Sequence, residues 1–110
     1  MPYCGGVAMA MMEISVVPVG TGSPSVSHYV AAVVRVLEGA GVAYELGPMG
    51  TVVVGDLDQL FTVARRMHEQ PFAMGAIRVA TTIKLDDRRD KPLTIQGKVG
   101  AVREKMDSDA

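Results

Sequence analysis

Val42-Ala43-Tyr44-Glu45-Leu46-Gly47-Pro48-Met49-Gly50-Thr51-Val52-Val53-Val54 decides the fold of this chain. Two largely apolar runs flank Gly47-Pro48-Met49-Gly50. In that tetrapeptide a proline, whose ring holds φ at about −65°, stands among glycines that tolerate conformations closed to other residues. Such a sequence reverses the chain tightly, and it predicts a hairpin with strands over 42–47 and 50–55.

Outward from the hairpin the pattern changes period. Upstream, Met12, Ile14 and Val16 alternate with Glu13, Ser15 and Val17, which predicts a strand over 11–19 covered on one face. Pro18 falls near its end, where a missing N–H is tolerated. Downstream, Ile77, Val79, Thr81, Ile83 and Leu85 alternate with Arg78, Ala80, Thr82 and Lys84, predicting a strand over 76–86. Between the first strand and the hairpin, Val26, Val30, Val33, Val34 and Leu37 recur at helical spacing and predict a helix over 25–39, ended by Gly39 and Gly41. Its valines are stiff at χ1, so tertiary packing must supply much of its order.

After the hairpin, Asp56 and Gln59 have the spacing of a capping box. Leu57, Leu60, Phe61, Ala64 and Met67 then form a stripe, and a helix over 57–70 is expected to stop at Pro71. A last helix over 94–106 would carry Ile95, Val99, Val102 and Met106 on one side. Gly97 and Gly100 weaken it by about 1 kcal/mol each relative to Ala, so it needs a docking surface.

The order β-α-β-β-α-β plus a terminal helix is the α+β, ferredoxin-like arrangement: a four-stranded antiparallel sheet with two helices on one face. The domain is expected over 11–106, with a flexible tail at 1–10 and a short one at 107–110. The other sheet face would carry Val17, Val52 and Val54. A large apolar patch is rarely left wet, so a second copy of the chain is expected to cover it.

Composition narrows the function. With 110 residues the chain is one domain, and aromatics at 5% with no Trp make its core aliphatic. A net charge of −1 gives no basic footprint for nucleic acid. Cys4 is alone, so an intrachain disulfide and a Cys-based metal site are excluded, and a reducing cytoplasm fits. No apolar run approaches the roughly 20 residues of a membrane span. His28 and His68 fall on different helices with no ligand at metal spacing. No nucleophile–base pair, phosphate loop or dinucleotide fingerprint is present, and Gly20-Thr21-Gly22-Ser23 lacks the Lys-Ser/Thr that would make it one. The expectation is a binding protein, not an enzyme, with no cofactor.

The candidate binding residues follow from the topology. First and last strands are neighbours in this fold, so Glu13 and Ser15 approach Arg78, Thr82 and Lys84 on the open face. Glu13 is either a counter-charge for a cationic ligand or half of a cross-strand ion pair with Arg78, contributing about 0.2–1 kcal/mol. Thr21, Ser25 and Ser27 stand at the start of the first helix, where they hold a polar ligand or simply cap. Tyr29 and Tyr44 are flat walls for a heterocycle or half-buried core residues.

Five stretches taken together resemble the small thiamine-binding family related to YkoF across residues 11 to 106. They are Pro18-Val19-Gly20-Thr21, Ser25-Val26-Ser27-His28-Tyr29-Val30-Ala31, Pro48-Met49-Gly50-Thr51, Thr81-Thr82-Ile83-Lys84-Leu85-Asp86-Asp87-Arg88-Arg89-Asp90 and Lys98-Val99. The resemblance implies a homo-oligomer, usually a tetramer made from dimers, that binds thiamine or its pyrimidine moiety unchanged at or near subunit contacts. It adds Thr51 to the candidate ligand residues. The family pattern carries an acidic residue shortly after the Gly-Thr pair, just before a glycine, and Val54 holds that place here. The competing expectation is a structural or regulatory homo-oligomer that uses the same face only for self-association.

Overall fold

Strand β1 (Ala10–Pro18) is the spine of a four-stranded antiparallel sheet ordered β2-β3-β1-β4, with β2 at Ala43–Leu46, β3 at Thr51–Gly55 and β4 at Val79–Asp87. Helix α1 (Ser27–Arg35) links β1 to β2, α2 (Leu57–Ala73) links β3 to β4, and α3 (Ile95–Asp109) follows β4. A computed structural model describes residues 9–109 of the chain. The tail expected at 1–10 lies outside the described residues except for Met9 and Ala10, and Ala10 already belongs to β1.

The ferredoxin-like α+β architecture is therefore the observed one, and the period-two reading of β1 holds residue by residue. Ala10, Met12, Ile14 and Val16 are buried in one cluster with Val33 and Leu37 after the first strand and with Leu60, Val63, Ala64 and Met67 of α2. Successive strand side chains point to opposite faces, so Met11, Glu13, Ser15 and Val17 lie on the uncovered side. The core is aliphatic throughout, as a chain without Trp requires.

The turn between β2 and β3 closes through a hydrogen bond from the Gly47 N–H to the Gly50 carbonyl, 2.8 Å. A Cβ at Gly47 would stand 2.8 Å from that same carbonyl oxygen, closer than side-chain carbons come to backbone. Gly47→Ala must open the turn, and it is expected to cost about 1–3 kcal/mol as overpacking does. A urea midpoint lowered without change in slope would register it.

Helix α2 begins at the capping box the sequence encodes. The Asp56 carboxylate accepts from the Gln59 N–H at 2.9 Å, and the Gln59 side-chain oxygen accepts from the Asp56 N–H at 3.1 Å. Its course then departs from expectation at two points. Phe61 leaves the core, 58% exposed, and Val63 takes its place in the buried stripe. Pro71 does not stop the helix: it is buried within the last turn, and the chain runs on to Ala73 before Gly75 turns it at a φ of 100°. A proline so near the end removes only one intrahelical bond, which burial of its ring offsets.

Helix α1 is shorter than its stripe predicts. It ends at Arg35, and the chain continues through tight turns in which Val36, Leu37 and Glu38 donate to the carbonyls three residues back. Leu37 stays buried because those turns keep it on the same side. The cap differs as well: Val26 occupies the N-cap without a side-chain bond, while the Ser25 N–H donates to Ser23 Oγ. Helix α3 continues through the stretch expected as a tail, to Asp109, and its Val99, Val102 and Met106 are exposed. The Lys98–Asp86 ion pair ties α3 to β4.

Candidate ligand site

The register lays out the open sheet face as rows. One row reads Ala43, Val54, Met11, Asp86; the next Glu45, Val52, Glu13, Lys84; the next has Ser15 opposite Thr82, and the last Val17 opposite Ala80. Glu13 therefore faces Lys84, not Arg78. Arg78 stands beside Val19 at the far end, its carbonyl accepting from the Val19 N–H at 2.8 Å. Six residues of strand separate it from Lys84, about 20 Å, so the Glu13–Arg78 pair does not form. The Glu13 side chain instead leans across β3 toward Gly50: a Cβ there would meet Glu13 Cγ at 3.4 Å and Cδ at 3.8 Å. The absent side chain at Gly50 is what makes room for it.

A second feature arises from unequal strand lengths. Strand β3 pairs with β1 only from Ala10 to Ile14, whereas β4 accompanies β1 as far as Pro18. Past Ile14, one edge of β1 has no neighbouring strand among the described residues. The Gly47–Gly50 turn and the first turns of α1 close over this gap and leave a cleft of about 250 Å³. Its walls are Ile14, Val16, Val26, Val30, Val33, Val34, Leu46, Pro48, Met49 and Met67, with Ser15 and Thr51 as the polar side chains. Among the described residues, no charged side chain lines it. Ligand sites are typically apolar clefts with a few placed polar groups, usually of about 300–1,000 Å³ for larger molecules, so this one suits a single substituted ring.

The nine expected residues thus divide. Glu13, Ser15 and Thr82 share the open face, and Ser15 also borders the cleft. Thr51 is only 3% exposed and lies on the helix side of the sheet, opposite Ile14. Thr21 bonds the Ser23 carbonyl within its own loop, and Ser27 is exposed on α1 in an outer groove with Leu46. Tyr29 packs against His28, ring centroids 4.3 Å apart, and Tyr44 lies half-exposed on edge strand β2. Neither tyrosine lines the cleft, so the flat wall expected of them is supplied by aliphatic side chains. Sequence reasoning missed Val16 and Leu46 as wall residues, although the longer first strand was visible in the pattern.

Two further groups have local partners. His68 Nδ1 lies 2.7 Å from Thr81 Oγ1, joining α2 to β4. In the loop after β4, the Arg88 guanidinium holds the Asp90 carboxyl at about 2, and Arg89 lowers that of Asp87. These exposed pairs neutralise the loop, as its mixed signs imply, and they lie outside the cleft. Among the described residues, no group of three or more His, Cys, Asp or Glu is placed to hold a metal ion, and no helix is long and apolar enough to cross a membrane.

Fold and cleft together define a small ferredoxin-like domain whose sheet ends in an apolar, uncharged pocket beside an acidic side chain. The chain belongs to the thiamine-binding protein family, whose model matches residues 12–103. It is 44% identical over 102 residues to the UPF0045 protein YqgV of Bacillus subtilis, covering 89% of this chain and 98% of that one. A UPF0045 protein of Methanothermobacter thermautotrophicus is 43% identical over 99 residues, 89% of this chain and its own full length. Among solved structures, the hypothetical protein MJ1052 of Methanocaldococcus jannaschii superposes with a TM-score of 0.80 at 33% identity, over 88% of this chain and 98% of that one.

Proposed function

We propose that this chain binds thiamine or its hydroxymethylpyrimidine moiety without transforming it, at a site close to a contact between copies of the chain. Family membership supports the ligand class. The observation that carries the reading is the position of Glu13 in the central strand, its side chain against Gly50 and one residue from the cleft. A desolvated cation needs a carboxylate beside it, and Glu13 meets that need for the thiazolium. Ser15 and Thr82, on the next row, offer hydroxyls to the same ligand.

Melting the protein with thiamine, its phosphates and hydroxymethylpyrimidine tests this directly, since a ligand that binds only the folded state raises the midpoint. Glu13→Gln is expected to weaken thiamine binding by more than about tenfold, a loss near 1.4 kcal/mol by calorimetry. Unchanged affinity in that variant would remove Glu13 from the site.

The mixed open face, with Met11, Val17, Val52 and Val54 between its charges, supports a homodimer and a tetramer built from it. Light scattering at 11.6 kDa for micromolar protein would refute this. One observation favours the second reading, an oligomer without a small ligand: the place of the family acid is held by Val54, 5% exposed. Absence of any shift with all the thiamine-related compounds would select it.

A further inference from the structure

Strand register fixes where each charge of the open face stands, and it leaves two of them at opposite rims. In the row Glu45, Val52, Glu13, Lys84, the end residues belong to the edge strands β2 and β4. Both are exposed. Glu13 leans toward Gly50, on the side of β1 away from Lys84. The ion pairs of the described residues join Arg88 to Asp90, Arg89 to Asp87 and Lys98 to Asp86, so neither Glu45 nor Lys84 takes part in one. An acid at one edge and a base at the other, with Met11 and Val52 between them, has the anatomy of an interface: a polar rim around an apolar centre.

Symmetry decides what such a row can meet. Two copies that share one face are related by a two-fold axis lying between their sheets, so that residue i meets j wherever j meets i. Stacked sheets stand about 10 Å apart with their strands within about 30° of alignment, a gap that Glu and Lys extended toward each other span. An axis along the strands, midway between β3 and β1, reverses the strand order and keeps each row level. The partner's β4 then lies over β2, and its β2 over β4. An axis across the strands through this row instead sets Glu45 on Glu45, Glu13 on Glu13 and Lys84 on Lys84, and such like-charge contacts are costly.

We propose that a second copy covers the open face about the axis along the strands, with Glu45 of each copy paired to Lys84 of the other. Met11 rests on the partner's Val54, and Asp86, already held by Lys98, on the partner's Ala43. Glu13 meets the partner's Val52, so this register gives it no protein cation and leaves it to the charge of a ligand. The partner's β2 also passes beside α3, whose Val99, Val102 and Met106 are exposed, and supplies the docking surface that Gly97 and Gly100 make necessary. The inference rests on the homodimer proposed above and adds its axis and its register.

Charge exchange tests the pairing. Glu45→Lys and Lys84→Glu each set like charges face to face at two places, and each is expected to raise the dimer dissociation constant by at least about tenfold in light scattering. Mixed in equal amounts, the two variants regain both unlike pairs. With one of them isotopically labelled, native mass spectrometry should then show heterodimers whose dissociation constant is within about threefold of wild type. The double variant, with both charges exchanged, should self-associate as well, which separates lost pairing from damage to the fold. Single variants that associate like wild type overturn the pairing and leave the homodimer standing. Weakened single variants whose mixture stays monomeric overturn the axis, since the two charges then act without facing each other. A wild type that is itself monomeric at micromolar concentration overturns the pairing and the homodimer together.

Discussion

Val54→Glu is expected to destabilise the isolated chain by several kcal/mol at neutral pH, although it supplies the acid that the family pattern carries. Val54 is 5% exposed, between Ala43 on β2 and Met11 on β1, and the only charged side chain in its row is the acidic Asp86. A carboxylate placed there loses water and gains no cation, and the effective penalty for such a charge is several kcal/mol. The group responds by raising its own pKa in the folded state. A raised carboxyl pKa means that the folded form holds the proton longer, so the loss is small below the ordinary Glu value of about 4.3 and grows as pH rises through the folded value. Urea unfolding at pH 4 and pH 8 should show the gap between variant and wild type widening at the higher pH. If a thiazolium reaches this row, saturating thiamine should raise the melting point of the variant more than that of wild type, because ligand then supplies the missing counter-charge. A variant as stable as wild type at pH 8 without ligand would mean that position 54 is open to solvent.

How much of this was legible in the sequence depends on which interaction decides each element. The hairpin, the three helices and the alternation of β1 and β4 were readable because they rest on local chemistry: the glycines around Pro48, the Asp56–Gln59 box, a period of two. Phe61 was misplaced because the stripe at 57, 60, 61, 64 and 67 fits a helix equally well when rotated slightly to bury Val63, and only the partner surface chooses. Pro71 was read as a stop because sequence cannot tell a proline that costs one bond from one that breaks a helix. The site was harder. Glu13, Thr82 and Lys84 are legible as sharing one face, but which basic residue stands directly opposite Glu13, Lys84 and not Arg78, is set by register, which composition does not fix. The cleft depends on β1 outrunning β3 by four residues, from Ser15 to Pro18.

Met67→Ala is expected to cost about 2–5 kcal/mol, the range for truncating a buried large aliphatic side chain and leaving a cavity. Met67 is 1% exposed, and it joins the core beneath α2 to the wall of the cleft. Its removal therefore acts twice, withdrawing packing from the centre of the sheet and enlarging the cleft. Phe61→Ala on the same helix is the paired control. That ring is 58% exposed, and surface changes of this kind usually stay within about 0.5 kcal/mol. Urea midpoints for the two variants, with unchanged slopes, would place the buried stripe of α2 along Leu60, Val63, Ala64 and Met67. Equal losses would instead put Phe61 under cover, either in the core or against a second copy, and dilution separates those two: a contact between copies weakens as protein concentration falls, while a core contact does not. The Met67 variant also bears on the ligand. A wider cleft grips a single ring less tightly, so hydroxymethylpyrimidine affinity should fall with core stability if the cleft holds it, and should survive in the folded fraction if the ring sits on the open face.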